Sequence, residues 1–490
     1  MTSLRGTVGT LLLGLVLVAC IPSPAATPAP EPSGLRGGVL RVGLGATPAL
    51  DPLDAVDAER ASVVRQVFEG LVTLEPGTFR VVPQLATAWA LGADQRSWTF
   101  TLRGGVHFHD GDALDASAVA ASLTRGGGGP GGLRASALGP LSVSITTATP
   151  YGPLLSELAL PARSIVGRTP LVGTGPFALP SDAATRAGEL TIAASPYAWQ
   201  RDGRGRPLPL LNGIGYRVLA AAGARAAALR SGEIQLAEAI APSDIALVRA
   251  NPNLQLLWRP AAAVILLGFD LSRGPFSDVA TRRAVALALD RKAMADRAPL
   301  PDATAPATQL LLPGLLGYDD SVLAFSRTDV DGAKRLLADA RPAGITTELW
   351  TGAGTRAVSD AVAADLARAG VAVTVRNAPG ASARGAGPLW IEERPLAQAD
   401  PDALLGVLFG AGEESWSVGP ALALLEAARA ETDAPKRAEL YKQVSKLVQQ
   451  EIPRIPLLYV SSALAASRKV RGIVPSPLGA ASLMRASLER

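Results

Sequence analysis

Cysteine is almost absent from this sequence: Cys20 is the single one in 490 residues. One thiol excludes a disulfide framework and a cysteine-based zinc site. Histidine is nearly as scarce, with His107 and His109 the whole supply. Aromatic residues make up only 4% of the chain, and a formal charge of +4 is carried by arginines scattered among acidic residues. A nucleic-acid partner needs a basic face with stacking aromatics, so this composition argues against one. Neither a Gly-x-Ser-x-Gly elbow nor a Walker loop is found, so hydrolase or ATPase chemistry would have to rest on carboxylates alone. No resident cofactor is implied. No apolar run reaches the roughly 20 residues needed to span a bilayer.

What is present is the composition of a globular chain, 48% hydrophobic and 18% charged. Its length calls for two or three domains rather than one core. The 50 glycines and 39 prolines stay well under the roughly 25 to 30% of a low-complexity chain.

Residues 1–20 carry Arg5, an apolar stretch from Leu11 to Val18, and the box Leu17-Val18-Ala19-Cys20. The apolar stretch is too short to cross a membrane. The segment resembles a bacterial lipoprotein signal, which implies acylation of Cys20 and tethering by lipid alone. Residues 21–36 follow as a proline-rich spacer, Ile21-Pro22-Ser23-Pro24 and onward, stiff and extended.

Glycine-bounded alternation at Val39-Leu40-Arg41-Val42 reads as the first strand. Apolar spacing predicts a helix from Ala58 to Leu71, with Val63, Val64, Val67, Phe68 and Leu71 on its inner stripe. Ser97 to Arg103 alternates as a half-buried strand that Val106 to His109 continues, and Arg125 to Gly139 reads as a flexible loop. Asp278 is a plausible N-cap for a helix from Val279 to Ala295. The segment Val264 to Asp270 reads as a strand. Further on, helix 331–340, strand 346–350, helix 355–369 stopped by Gly370, and strand 371–375 alternate. Such alternation predicts an α/β fold with a mixed sheet covered on both faces.

The run Trp98, Phe100, Leu102, Arg103, Gly105, Val106, Phe108, Asp110, Gly111, Leu114, Ala116, Val119 resembles a signature of the extracytoplasmic solute-binding proteins of family 5, the oligopeptide, dipeptide and nickel-type receptors of ABC importers. In the same order come Leu50-Asp51-Pro52, Phe68-Glu69-Gly70-Leu71, Gly173-Thr174-Gly175-Pro176-Phe177, Ser231-Gly232-Glu233-Ile234, Pro275 to Arg291, Asp400-Pro401-Asp402, and Pro453 to Leu457. The resemblance extends from about Gly37 to Gly479. It implies a two-lobed periplasmic-binding-protein type II-like fold with an extra subdomain in lobe I. Lobe I would comprise 37–239 with 462–490, its subdomain about 58–162, and lobe II 240–461. The crossings would lie near Gly232 to Ile240 and near Leu457 to Ser462.

The function implied is capture of a small, peptide-like or other solute by closure of two lobes, and its delivery to ABC permease subunits. The receptor would be a monomer with no catalytic activity, lipid-anchored outside the cytoplasm, in the periplasm or on the outer cell surface. By position after the second lobe's strands, the candidate ligand residues are Trp390, Glu392, Glu393, Arg394 and Trp416, with Phe269 and Asp270. In peptide-binding relatives an aspartate three residues before the Asp-Pro motif pairs with the peptide's ammonium. Here that position is Ala397, so either Glu392 or Glu393 replaces the anchor or the ligand lacks that cation.

Competing chemistries have weaker support. Gly352-Ala353-Gly354-Thr355-Arg356-Ala357 fits a dinucleotide fingerprint, but the following strand ends at Arg376-Asn377 without an acidic ribose partner. His107 and His109 share a strand face, as a metal pair can, yet the resemblance makes this stretch structural, so no metal site is expected. The alternatives to a solute receptor are a tethered carboxylate-based hydrolase, with Glu413-Glu414 and Glu392-Glu393 as its adjacent pairs, and a receptor-like protein that has lost its ligand. Solvated surface accounts for both pairs.

Overall fold

The computed structural model describes residues 36–489 apart from 126, 128, 182–188, 222, 299–300, 324, 342, 379–382 and 411–418. Cys20, the proline-rich spacer, Glu413, Glu414 and Trp416 lie outside the described residues.

Three sheets organise the chain. The first has seven strands in the order Leu254–Trp258, Ala463–Ser467, Leu236–Ala237, Val39–Leu44, Gly213–Val218, Glu189–Ala194 and Phe177–Ala178. Its central strand, Val39–Leu44, runs parallel to Gly213–Val218 and Leu236–Ala237. The alternation legible in the sequence places Leu40, Val42 and Leu44 in one core with Val63, Val64 and Val67. The opposite face packs on Ala226, Leu229, Ile245 and Val248.

The second sheet has six strands, in the order Thr304–Pro306, Arg454–Val460, Ala263–Phe269, Leu389–Pro395, Ile345–Thr351 and Val371–Asn377. All seven residues of Ala263–Phe269 are buried, the unbroken apolar run expected of a strand covered on both faces. Ile265, Leu267 and Phe269 face a helical layer, where Phe269 and Phe276 meet with ring centroids 5.6 Å apart. Val264 and Leu266 face a separate core with Leu404, Leu405 and Tyr441.

Local signals account for the helical layer. Asp278 accepts hydrogen bonds from the backbone N–H groups of Ala280 and Thr281, a cap worth about 1 kcal/mol. The helix it opens ends at Ala288, and Asp290 caps a second one, Arg291–Arg297, by accepting from Ala293 N at 2.9 Å. The single helix expected over 279–295 is therefore two, because a carboxylate within hydrogen-bond reach restarts the backbone ladder. Helices Val330–Ala340 and Arg356–Arg368, and strands Ile345–Thr351 and Val371–Asn377, match the expected segments within two residues. Gly370 lies at φ +93°, the left-handed position that ends a helix.

A third sheet of four antiparallel strands, Ala86–Leu91, Ser97–Leu102, Ser142–Thr146 and Arg134–Gly139, packs against the helix Ala116–Thr124 around Trp98, Phe100, Val119, Val143 and Ile145. Two expectations change here. Part of the presumed loop 125–139 is a strand paired antiparallel with Ser142–Thr146, its register shifting between Ala137 and Gly139, and Arg125 forks onto Asp51 at 2.7 and 2.8 Å. The strand Ser97–Leu102 also does not continue through His109. A turn intervenes, and His107 makes only an isolated bridge to Ala113.

The helix expected over 58–71 covers only Ala61–Val67. Phe68 leaves in an extended conformation, and Glu69 bridges to Ile165. The reason is tertiary. Glu69 is buried and accepts from Gln200 Nε2 at 2.6 Å, Trp199 Nε1 at 2.9 Å, Thr174 Oγ1 at 3.0 Å and Gln84 Nε2 at 3.3 Å. Burial pushes its carboxyl above the usual range, against the pull of these four donors. The Gly173-Thr174-Gly175 motif delivers one of those donors by lying directly on the backbone of Val67. A Cβ on Gly173 would meet Val67 O at 2.1 Å, so the close approach requires glycine.

The chain passes from the first sheet to the second between Trp258 and Ala263 and returns between Val460 and Ala463. The first passage falls some way past the 232–240 stretch expected for it. The strand Leu254–Trp258 still pairs with Ala463–Ser467 of the first sheet.

Candidate functional site

The two passages run antiparallel and touch. Arg259 N donates to Ser462 O at 2.8 Å and Ala262 N to Val460 O at 3.2 Å. They form one side of a cleft of about 650 Å³, within the usual range of about 300 to 1,000 Å³ for small-molecule sites. One wall comes from Leu53 to Arg65 and the neighbouring Ser156 to Ala162, the other from Glu393 to Ala399, and Pro477-Leu478-Gly479 lines a further edge. Leu396 N donates to Ala262 O at 2.7 Å, tying the second wall to the passage.

The lining is mostly apolar, with Leu53, Val56, Leu74, Leu160, Leu396, Val460 and several alanines. Three charged side chains reach it: Asp57, Arg65 and Glu393. Asp57 is exposed and pairs with Arg60 at 3.5 Å. Arg65 is half-buried on the same helical face as Ala61, one turn earlier. Its Nε is sealed from solvent with no hydrogen-bond acceptor among the described residues. Burial pushes the guanidinium down to about 10. Glu393 is exposed within the cleft, and its crowded surroundings push its carboxyl above the usual range with no donor opposing the shift.

Strand periodicity explains why Glu393, alone among the described candidates, lines this cleft. Successive side chains of Leu389–Pro395 point to opposite faces. Leu389 and Ile391 enter the helical-layer core, while Glu393 and Pro395, further along the same face, line the cleft. Trp390, Glu392 and Arg394 point the other way. Trp390 is 2% exposed and lies against Gly268, where a Cβ would meet the indole at 2.3 Å. The Arg454 guanidinium sits 4.9 Å from its ring centroid. Glu392 is buried between Arg394 at 2.9 Å and Arg454 at 3.9 Å. Trp390, Glu392 and Arg394 thus belong to the interior and its ion pairs rather than to the cleft lining.

Phe269 is fully buried against Phe276, and Asp270 closes a turn by accepting from Ser272 N and pairing with Arg273. Neither lines the cleft. Ala397 does, so its methyl group stands in the wall with no charge to offer. Asp400, which opens the Asp-Pro motif, is committed to Arg437. Arg65 is not among the candidates that the sequence offers, and its one sequence signal is a charge inside the apolar stripe Val63, Val64, Val67.

The remaining motifs have structural partners. His109 donates from Nε2 to Gly175 O at 2.9 Å and accepts at Nδ1 from Gly173 N at 3.4 Å, so both ring nitrogens are engaged by backbone. Gly354 has open space around its notional Cβ, without the close approach that a dinucleotide fingerprint exploits. Arg282 donates to Phe276, Ser277, Glu451 and Ile452 carbonyls, and Arg291 to Pro456 O. Both arginines join helices to the strand Arg454–Val460 and its approach.

Among the described residues no helix is long and apolar enough to cross a membrane. The chain is 27% identical over 472 residues to the glutathione-binding protein GsiB of Salmonella paratyphi A, covering 86% of this chain and 89% of that one. A GsiB of Escherichia coli is 26% identical with the same coverage. In three dimensions the chain is similar to HbpA2 of Haemophilus parasuis, with a TM-score of 0.81, 24% identity, and 92% of this chain and 100% of that chain covered. It is also similar to the unliganded open form of the periplasmic murein tripeptide binding protein MppA, with a TM-score of 0.79, 19% identity, and coverage of 93% and 99%. The fold is that of two-lobed periplasmic binding proteins. The description "Bacterial extracellular solute-binding proteins, family 5 Middle" matches residues 80–416, and the chain belongs to that family, the substrate-binding components of ABC importers.

Proposed function

We propose that this protein captures a short, peptide-like solute in the cleft between its two lobes and hands the closed complex to ABC permease subunits. The lobes are those built on the first and second sheets, with the third sheet as the extra subdomain. The observation that carries the reading is the site's position. A largely apolar cleft of about 650 Å³ is lined by Ala262-Ala263 and Val460-Ser461-Ser462, the two passages between the sheets, so a bound solute touches both lobes and the segments about which they would turn. A ligand that contacts both walls only when they approach has differential affinity for the closed state, which is what shifts the equilibrium. Relatives named for glutathione binding, and a solved dipeptide binding protein in complex with Met-Leu, favour a peptide-like ligand over a sugar.

The protein acts as a monomer without making or breaking bonds, tethered outside the cytoplasm by lipid on Cys20. The test is a thermal-shift and ligand-recovery experiment with di- to tetrapeptides, glutathione, glycosides and metal chelates. Expected is a melting temperature that rises with ligand concentration relative to the dissociation constant, with the ligand recovered unchanged. Chemically altered ligand would instead support the hydrolase alternative.

A further inference from the structure

A residue from a hairpin beside the third sheet is buried in the core of the second lobe. The strands Val72–Leu74 and Val81–Pro83 pair as that hairpin, and their Leu74 and Val81 lean on the third sheet's own core. At the tip Pro76, Gly77, Thr78 and Arg80 are exposed, yet Phe79 is only 7% exposed. Its burial comes from the other lobe. Phe79 joins the core that holds Leu310, Leu311, Leu312 and Leu315, and every other buried member of that core lies within residues 264–459. A Cβ on Gly314 would sit 3.6 Å from Phe79 Cδ2. The tip itself is stiff. Glu75 N donates to Arg80 O at 2.8 Å and Thr78 N to Glu75 O at 3.1 Å, Arg80 Nε reaches the Glu75 carboxylate at 2.8 Å, and Gly77 takes a left-handed φ of +72°. A ring held out on a rigid tip loses little freedom on seating.

Polar contacts join the same two parts. Gly152 N donates to Arg429 O at 2.7 Å, Gln398 Nε2 to Ser156 Oγ at 2.8 Å and Thr432 Oγ1 to Gln95 Oε1 at 2.5 Å. Ser156 lines the cleft, as do Ala397 and Ala399 on either side of Gln398, so the walls meet here as well as at the two passages. A turn about the passages that parts the walls has to break these contacts and draw Phe79 out of its seat.

We infer that Phe79 is a latch: seated in the second lobe, it holds the walls together before any solute is present, and a solute enters when it withdraws. The inference rests on the solute-capture reading and adds what sets the resting position of the lobes. Withdrawal exposes both the ring and its apolar seat to water, which burial had removed. The hydrogen bonds contribute less, because water replaces them on opening. A closed state populated without solute removes the penalty that closure would otherwise impose on affinity, and it makes entry wait on opening.

The experiment measures lobe spacing by double electron–electron resonance. Nitroxides are placed at Arg230→Cys and Arg335→Cys, exposed positions on the helices Ala224–Ser231 and Val330–Ala340. The full chain also carries Cys20→Ala, so that no other thiol is labelled. With Phe79 present and no ligand, one narrow distance distribution is expected. Phe79→Leu, Phe79→Val and Phe79→Ala should bring in a second distance whose share grows as the side chain shrinks, to at least half the molecules for alanine. Stopped-flow binding of alanine–leucine di- to tetrapeptides and glutathione supplies the second readout. Association with Phe79→Ala should be at least tenfold faster and dissociation faster still, so that affinity does not improve.

Melting curves identify the folded variants, and any one of the three suffices for the distance test. Folded variants that keep the parent distribution overturn the inference, since the ring would then be packing without setting the lobe spacing. A ligand-free parent chain that samples both distances equally overturns it as well. Peptide association left unchanged in a folded Phe79→Ala counts against it in the same way while leaving solute capture standing. A panel without a binder counts against the peptide-like reading, and the ligand-free distances then decide the latch by themselves.

Discussion

Arg437 grips Asp400 with both ends of its guanidinium, Nη1 2.6 Å from one carboxylate oxygen and Nη2 2.7 Å from the other. Both side chains are buried, at 4% and 5% exposure. Tyr441 Oη accepts from Nη2 at 2.8 Å, and Ser156 Oγ, next to the third sheet's core, donates to Asp400 at 3.3 Å. Gln398 donates to the same Ser156 Oγ at 2.8 Å. The aspartate that opens the Asp-Pro motif therefore anchors the second lobe's helices and holds them against the segment Pro153–Leu158.

Removing one partner of a buried pair leaves the other charged and unanswered. Asp400→Ala should lose about 3 to 5 kcal/mol, read as a lower urea midpoint. Combining it with Arg437→Met should recover most of the loss. A single variant within about 1 kcal/mol of wild type would mean that the fork contributes little.

A second buried pair ties the first passage between the sheets to the residue after the strand Leu236–Ala237. Arg259 Nη2 is 2.9 Å from Glu238, and burial pushes Glu238 up to about 7, with Arg259 pulling the other way. The folded value lies above the 4.5 of the free side chain, so the native state binds the extra proton. The contribution of this group to stability is fully present below about pH 4.5 and is lost as pH rises through about 7. Melting temperatures of Glu238→Gln should show a flatter pH dependence across that window than the wild type. An unchanged slope would count against the shift.

Trp390 distinguishes interior from cleft. Trp390→Ala should cost about 3 to 5 kcal/mol, the usual loss for a buried tryptophan, because it empties the space between Gly268 and Arg454. The affinity of the folded variant for the best peptide should stay within about threefold of wild type. A tenfold loss of affinity with unchanged stability would return Trp390 to the ligand site.

If Glu393 replaces the anchor that Ala397 lacks, it must be ionised to receive an ammonium. Since its carboxyl is held above the usual range by its surroundings, peptide affinity should fall on acidification at a higher pH than a glutamate free in water would allow. Glu393→Gln should bind weakly at every pH, with this slope removed. A wild-type affinity that stays level through mildly acidic pH would contradict the assignment.

For the anchor, wild-type protein should partition with membranes and carry lipid mass on Cys20, since two or more acyl chains give stable attachment. Cys20→Ala should remain unprocessed at that site or appear in the soluble fraction. Wild-type protein recovered as soluble and unmodified would rule the anchor out.

Much of the architecture was legible because its signals are local. Asp278 before an apolar stripe and Gly370 after one mark helix ends through bonds within a few residues, and alternation in Val39–Leu44 marks a core face. The collinear motifs carried the family resemblance for a different reason: in this chain they encode contacts between distant segments. Glu69 and Thr174 are 105 positions apart, and no local rule would pair them.

The site was only partly legible, and Leu389–Pro395 shows why. Its sequence determines that Trp390, Glu392 and Arg394 share one face and Glu393 the other, since side chains alternate along any strand. Which face meets the cleft depends on the layers packed on each side. Leu404, Leu405 and Tyr441 build a core beneath one, and the opposite face runs on past the helical layer to open toward Ala61 and Arg65 of the first lobe. Sequence by itself determined most of the elements and their order, because capping, periodicity and turn chemistry act over a few residues, and the family resemblance implied the two-lobed scaffold. Only the tertiary structure decided that Arg65 and Glu393 face one cleft, because its walls are assembled from residues more than 300 positions apart.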